Sequence, residues 1–509
     1  MVSQHGILLA AGLISDHFGP LVAKVCDCLL RHGALQLTEI VRRLKLPQGQ
    51  VKNSLLVLIQ HNCVQAFSSS RGERTVTLYL AIFDNVLHRL RFSKFISVIR
   101  ADIPESEALI EGLLQNGRLT FDQLVGRTIS KVPEGTIRPA REEIRMNFNR
   151  LVYARYVERC PKAEPFFNPQ EDEQSTAARR RVPKTAEEVL SLEQKVVNTA
   201  TLSDPERFSE IPYSMEDASK TNDYPHNAVV GAKRKHGAFE VDEELNSTIA
   251  ENEVLWRVNF EKFIFCLKKK FCADRKKPKL KVGTHPIWES FFEANLTDKD
   301  TNSVTSSING ILEKLGQKEG GAAMSIGQIK PVLLDLQCTT SDGEEYNFDL
   351  SKMVEACRNE EIESLVKKKY GQEAFTIFRL LVTQGCAVET DQIIDTTILD
   401  KQIVHSTLYK LWNDGYIDTE KIASAAGTGY AQFFVWRAKN TFREQFVDNL
   451  YHAALNLRQM VNYIAELLLE GSKDETKLRN RKNILILALT RHDDSLMLFH
   501  DFCKHGSRC

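Results

Sequence analysis

A chain of 509 residues with 42% apolar content is long enough for about three to five small domains, each with its own core. Its 67 Lys and Arg balance 67 Asp and Glu, so it carries no net charge; a protein held only by phosphate contacts would be basic throughout. Protein partners are therefore expected to dominate, with nucleic acid met by local patches, and the scattered cysteines and lack of any run near ~20 apolar residues read as a soluble, reduced, intracellular chain without a metal site.

Residues 1–83 read as a first unit. The stretch from Ile7 to Ile14 has the length of a signal core but no basic flank, and is taken as an opening helix. Phe18, Leu21, Val22, Val25 and Leu29 mark one face of a helix closed by Gly33. Thr38 is placed to cap a short second helix with Ile40, Val41 and Leu44 inward, and Pro47 opens a third. Val51, Leu55 and Leu58 share a face of that third helix, leaving Gln48, Gln50, Lys52 and Asn53 outward. Two β-prone stretches, 63–67 and 75–79, flank a tip at Arg71-Gly72-Glu73-Arg74, whose arginines can reach a backbone phosphate. Three helices followed by a two-stranded hairpin make a winged helix, a helix-turn-helix variant.

Residues 104–160 repeat the plan. Leu109, Ile110, Leu113 and Leu114 lie on a helix ended by Gly117, and Thr120 caps the next. A third helix over 141–156 holds Ile144, Phe148 and Leu151 inward and Arg141, Arg145 and Arg150 on its polar side, and Tyr156-Val157-Glu158-Arg159 is β-prone. Residues 161–246 turn to Pro, Glu, Asp, Ser and Lys and lose apolar periodicity, which predicts a flexible charged linker. Its basic blocks Arg179-Arg180-Arg181 and Lys233-Arg234-Lys235 fit either a nuclear localisation signal or a solvated charge run.

Residues 247–350 read as a third, remodelled winged helix. Leu255, Val258, Phe260, Phe263, Ile264 and Leu267 predict one long helix. Its end carries Lys268, Lys269, Lys270, Arg275, Lys276, Lys277, Lys279 and Lys281, the densest positive cluster in the chain. Helix-dipole capping needs fewer lysines than this, so the cluster, with Lys52, Arg71 and Arg74, is a candidate nucleic-acid contact. Val304, Ile308 and Ile311 give the third-helix triplet here, with no wing legible after it because 316–321 is loop-like. Residues 351–438 form a fourth winged helix: Ala374, Ile377, Phe378, Leu381 and Val382 to Gly385, then Ile393 and Ile394, then a third helix with Val404, Leu408 and Leu411, and a wing from 416 to 436. In the tail, 439–509, Phe446, Leu450, Ala453, Leu457, Met460, Ile464 and Leu467 alternate four and three apart, a heptad seam. Gly471-Ser472 breaks it before a second helix over about 480–502, giving a coiled-coil hairpin packed on itself or awaiting a partner helix.

The predicted class is mainly α with small β-hairpins: tandem winged helices and a C-terminal helical hairpin. No phosphate-binding Gly-rich loop, dinucleotide fingerprint or nucleophile elbow occurs. Adjacent acids such as Glu142-Glu143 and Glu360-Glu361 point about 100° apart on a helix and do not converge, so no catalytic residue, metal or cofactor is expected.

The stretch HFGPLVAKVCDCLLRHGALQLTEIVRRLKLPQGQVKNSLLVLIQHNCVQAF resembles the N-terminal helix-turn-helix of the third-largest-subunit family of RNA polymerase III. LIEGLLQNGRLTFDQLV, LVYARYVERCP and AFTIFRLLVTQGCAVETDQIIDTTILDKQIVHSTLYKLWNDGYI are similar to later parts of the same family, in order along nearly the whole chain. The resemblance implies a nuclear, non-catalytic subunit with four winged helices and a coiled coil, related to the alpha subunit of transcription factor E. It implies assembly with two smaller subunits into a heterotrimer on the clamp of the largest subunit. That heterotrimer meets upstream or melted promoter DNA and supports initiation and DNA opening for tRNA, 5S rRNA and other small RNAs. The tail hairpin reads as shorter than the family's, and the third wing is not legible. Two other classes stand beside this one: a helical scaffold subunit of the proteasome-lid or translation-initiation type, and a stand-alone DNA-binding transcription regulator.

Overall fold

A computed structural model describes residues 2–71, 74–131, 139–168, 190–210, 254–280, 284–295, 302–318, 326–341, 345–424, 431–439, 442–470 and 474–503. They fall into two compact units, Ala10–Phe263 and Ser3–Leu9 with Ile264–Cys509. The basic blocks at 179–181 and 233–235, and Lys281, lie outside the described residues.

The first unit, which α1 (Gln4–Phe18) enters at Ala10, continues with α2 (Pro20–His32), α3 (Leu37–Leu44), α4 (Gln48–Gln60), β1 (Val64–Arg71) and β2 (Arg74–Ala81). Gly19, at φ 88, and Pro20 at the head of α2 break the first two helices apart. Phe18 therefore belongs to α1, and Leu21 is 39% exposed instead of facing the core. The cap of α3 is Gln36, whose backbone N–H donates to Glu39 Oε2 (3.3 Å), and not Thr38. Val51, Leu55 and Leu58 are buried as the spacing predicts. Strand β2 pairs with β1 on one side and with Leu35, through Tyr79, on the other.

Helices α5 (Phe83–His88) and α6 (Phe92–Asp102) lead to a second module of α7 (Glu107–Asn116), β3 (Leu119–Thr120), α8 (Phe121–Lys131), α9 (Arg141–Tyr153) and β4 (Val157–Arg159). Its sheet is completed from far downstream. After 162–167 and helices α10 (Leu192–Ala200) and α11 (Asp204–Arg207), strand β5 (Leu255–Val258) enters between β3 and β4. Trp256 lies opposite Leu119 and Arg159, and Val258 opposite Val157. Trp256 is 2% exposed and meets the Phe148 ring edge-on, 5.1 Å between centroids. Two expectations change. The second winged helix ends at 258 and not 160, and Leu255 and Val258 sit on a strand and not on the helix that follows them. Their three-residue spacing imitates a helix, but Leu255 is 39% exposed while Trp256 and Val258 are buried.

The expected linker is also partly ordered onto the first two modules. Ser68 N–H donates to the Pro165 carbonyl (2.9 Å), and Phe167 N–H donates to the Ser68 carbonyl (2.8 Å). Val196 of α10 is buried with Phe67 and Leu80. Arg207 of α11 and Arg257 of β5 both bond Glu158, which is 2% exposed; the Arg257 Nε–Glu158 Oε1 distance is 2.7 Å. Burial of a carboxylate is tolerated here because two guanidiniums answer it.

The first two modules join at the end of α4. Arg118 N–H donates to the Gln60 carbonyl (3.0 Å), and Gln60 Nε2 donates to the Asn116 carbonyl (3.0 Å). Gly117 sits at φ +78, where a Cβ would stand 2.0 Å from the Gln60 carbonyl oxygen.

The other unit continues α12 (Phe260–Lys276) into a third module: α13 (His285–Glu293), β6 (Ser303–Ser307), α14 (Ile308–Gly316), α15 (Ile326–Asp335), β7 (Thr339–Ser341) and β8 (Glu345–Asp349). The wing is present, with β8 between β6 and β7. Val304 is on β6 and Ile308 and Ile311 are on α14, so that triplet marks a strand and the second helix. The third helix is α15, short and containing Pro331, with Ile329 and Leu333 buried. The long α16 (Leu350–Tyr370) precedes a fourth module of α17 (Gln372–Gln384), β9 (Val388–Glu389), α18 (Thr390–Thr397), α19 (Lys401–Asn413), β10 (Ile417–Ser424) and β11 (Ala431–Ala438), again with the last strand central. Helices α20 (Phe442–Leu469) and α21 (Glu475–Phe499) form the hairpin. Phe446 packs on Phe499 (4.7 Å between ring centroids), and Arg358 Nε of α16 donates to the Leu498 carbonyl (3.0 Å).

Two outcomes are expected. Gly117→Ala should lower stability by at least about 2 kcal/mol, combining a left-handed backbone cost with overlap on Gln60; a near-zero change in chemical denaturation would contradict the joint. Burial pushes the Glu193 carboxyl on α10 up from the ordinary 4.5 to about 7. The folded chain then holds this proton after the unfolded chain has released it, so stability falls as pH rises from about 4.5 to 7 and levels above. Glu193→Gln should therefore stabilise by about 1–3 kcal/mol at pH 8 and by little at pH 4, read from denaturation midpoints at both.

Candidate nucleic-acid and subunit interfaces

In the first module the third helix, α4, turns Gln48, Gln50, Lys52 and Asn53 to solvent, and Arg74 is exposed on the wing opposite Arg71 in register. The structure adds Arg42, Arg43 and Lys45, exposed at the end of α3. In the sequence they look like ordinary dipole-suited residues in a helix's last turn, so charge alone does not single them out. Lys45 caps α3 in the left-handed region, φ 53. These residues give the two helices of the helix-turn-helix a positive, polar outer face suited to phosphate oxygens.

The dense cluster of α12 is arranged differently. Lys268 is 5% exposed and its Nζ donates to Asn302 Oδ1 (3.0 Å). Lys276 donates to the Leu336 carbonyl and lies over the rings of Phe348 (4.8 Å) and Trp288 (5.4 Å). Lys277 sits between Glu289 (2.9 Å) and Asp274 (3.4 Å), and the bond to Glu289 holds its pKa above the usual lysine range. Arg275 faces Glu360 at 3.4 Å. Lys269 is half-buried and Lys270 exposed. Lys279 ends the short turn Lys277–Lys279. The expectation that the whole cluster is a nucleic-acid contact is thus cut back: Lys268 and Lys276 hold the third module's core and Lys277 and Arg275 face acids, leaving Lys270 the open member among the described side chains.

The fourth module presents a different face in the corresponding place. Tyr409 (61% exposed) and Trp412 (44%) stand on α19 with ring centroids 5.9 Å apart. Ile398 is 90% exposed and caps α18 at φ 56, ψ 33, where Lys45 caps α3 in the first module. A β-branched residue in that backbone region is strained, and an exposed apolar one gains nothing from the fold. Sequence periodicity cannot find it, because Ile398 falls outside both helices.

Along the hairpin, Phe446, Leu450 and Ile464 are buried, Leu457 and Leu467 are half-buried, and Met460 is 40% exposed. Tyr463, Leu469, Ile484 and Leu487 are more exposed still. The heptad seam is therefore closed at Phe446, Leu450 and Ile464 and partly open at Leu457, Met460 and Leu467. Among the described residues no group of three or more His, Cys, Asp or Glu could hold a metal, and no helix is long and apolar enough to cross a membrane. Buried thiols such as Cys63, pushed up to about 11 by burial, are protonated and inert.

Lys268→Ala should cost about 1–3 kcal/mol of stability by removing a buried side chain and its bond to Asn302 Oδ1, whereas Lys270→Ala should stay within about 0.5 kcal/mol. Equal thermal melts for the two variants would place Lys268 at the surface after all.

Three family descriptions match the chain in order: RNA polymerase III subunit RPC82 helix-turn-helix domain over residues 8–69, RNA polymerase III subunit RPC82 over 146–345, and POLR3C C-terminal winged-helix domain over 362–437. The DNA-directed RNA polymerase III subunit RPC3 of Homo sapiens is 23% identical over 94% of this chain and 86% of its own length. That of Danio rerio is 23% identical over 85% and 79%, and that of Dictyostelium discoideum 21% over 89% and 90%. With the repeated winged-helix plan, these matches show that the chain belongs to the RPC82/RPC3 family, the third-largest subunit of RNA polymerase III.

Proposed function

We propose that this chain is a nuclear, non-catalytic docking subunit that joins two smaller subunits in an initiation subcomplex of RNA polymerase III. The subcomplex rests on the clamp of the largest subunit and helps open promoter DNA for synthesis of tRNA, 5S rRNA and other small RNAs. The observation that carries this reading is the contrast between two copies of one fold. The first module's helix-turn-helix face is cationic and polar, with Arg42, Arg43, Lys45 and Lys52 exposed, and the fourth module's equivalent face exposes Ile398, Tyr409 and Trp412. The first face suits upstream or melted DNA through sequence-independent phosphate contacts, with Arg74 and Arg71 of the wing beside it. Lys270 and the open end of the α12 cluster are a second, smaller contact.

The apolar fourth face and the open part of the hairpin suit protein. Exposed Ile398 and the Tyr409–Trp412 pair, with Lys401 and Lys410 also exposed on α19, are the aliphatic and aromatic anchors and polar rim of a subunit interface. Met460 and the half-buried Leu457 and Leu467 offer the seam a partner helix needs, while Phe446, Leu450 and Ile464 hold the hairpin itself.

One comparison tests both halves. Reversing Arg42, Arg43, Lys45, Lys52 and Arg74 together in the reconstituted subcomplex should weaken DNA binding and flatten its salt dependence by up to about one unit per lost phosphate contact. Unchanged affinity and slope would remove this face from DNA. Ile398→Asn should keep or raise the chain's melting temperature, since Asn accepts the left-handed backbone, and yet reduce its co-purification with polymerase. Full co-purification would show that Ile398 touches no subunit.

A further inference from the structure

Where the end of α4 meets the second module, His61, Asn62, Arg89, Phe92, Gly117 and Phe260 line a small cavity with room for about one water-sized occupant. The Arg89 guanidinium is packed over the rings of Phe18 (4.5 Å) and Phe92 (5.2 Å). Its Nε and the Nδ1 of His61 are both buried and have no protein hydrogen-bond partner. The His61 ring lies 4.4 Å from that of Phe18. Asn62 Oδ1 is already taken by the buried Arg118 Nε (2.9 Å), so it does not compete for an occupant.

We propose that this cavity is a binding site for a single small monovalent anion, chloride in ordinary solution, held by Arg89 Nε–H and His61 Nδ1–H. Among the described residues no carboxylate pairs with Arg89. The one ionisable group bonded to it is the Cys63 thiol, which burial pushes up to about 11 and so keeps neutral. Burial together with the charges of Arg89 and His17 pushes His61 down to about 4, so at neutral pH its ring is uncharged and can turn an N–H into the cavity. The Arg89 guanidinium, packed over two aromatic rings with its Nε buried, carries positive charge without a carboxylate counter-charge, which is costly in a low-dielectric site. A water would satisfy the open N–H groups but not the charge; a halide does both. Phosphate and organic acids are too large for the space. The anion would sit at the joint between the first two modules and so bear on how firmly they are held.

The experiment uses the full chain at constant ionic strength, with chloride or bromide exchanged for gluconate, an anion too bulky to enter. The melting temperature is expected to rise by about 2–4 °C in the halides, the shift for a ligand held roughly tenfold above its Kd in a domain of this size. Arg89→Met should abolish the difference between salts. In crystals of the unaltered chain soaked in bromide, an anomalous peak is expected within hydrogen-bond reach of Arg89 Nε and His61 Nδ1. That measurement decides the matter even should Arg89→Met fail to fold. Equal melting in halide and gluconate, or density without anomalous signal, would overturn the proposal and leave a bound water.

Discussion

In the second, third and fourth modules the last strand lies between the other two, and in the first β2 lies between β1 and a single bridge at Leu35, so no sheet is complete until the chain has returned to it. A strand's backbone groups must be paired, and a two-strand remnant without its centre would leave them open. In the second module this constraint acts across nearly a hundred residues. Trp256 must come back to lie between Leu119 and Arg159, and its ring closes the core on Phe148. The return is what makes Ala10–Phe263 one compact unit, with 162–167 and α10 folded onto the first module.

Much of this is legible in the residues. The triplets Val51-Leu55-Leu58, Ile144-Phe148-Leu151 and Val404-Leu408-Leu411 are buried third-helix faces, because apolar residues at helical spacing in a short amphipathic segment can share one side only by coiling. The third module misleads for a physical reason. A β-strand running straight into a helix puts Val304, Ile308 and Ile311 at helix-like spacing, while the true third helix carries Pro331 and only two buried aliphatics. The heptad of the tail does mark a hairpin seam, although its second helix begins at Glu475, earlier than the expected start near 480.

The candidate sites are less legible, since charge in a sequence does not say where it points. Lys268 and Lys276 look like members of a phosphate-binding run, yet one is buried against Asn302 and the other covers Trp288 and Phe348. Their aliphatic stems pack while their ammonium groups find oxygen, as long cationic side chains commonly do. Conversely, Arg42, Arg43 and Lys45 have the pattern of plain helix-end residues and are exposed together. The neutral total charge thus reflects local pairing in the third module and local excess in the first. One topology, used four times, carries different faces, which lets a subunit of RNA polymerase III present different surfaces to other subunits.

The most direct test of the central claim is hydrogen exchange across the downstream strand. Asn259 N–H donates to the Tyr156 carbonyl and Cys160 N–H to the Leu255 carbonyl, both within 2.9 Å. The amides of 255–259 should therefore exchange as slowly as those of the buried turns of α9, both released only by unfolding of the second module. Exchange of 255–259 at the rate of an unstructured peptide, with α9 still protected, would mean that the second winged helix closes without its returning strand.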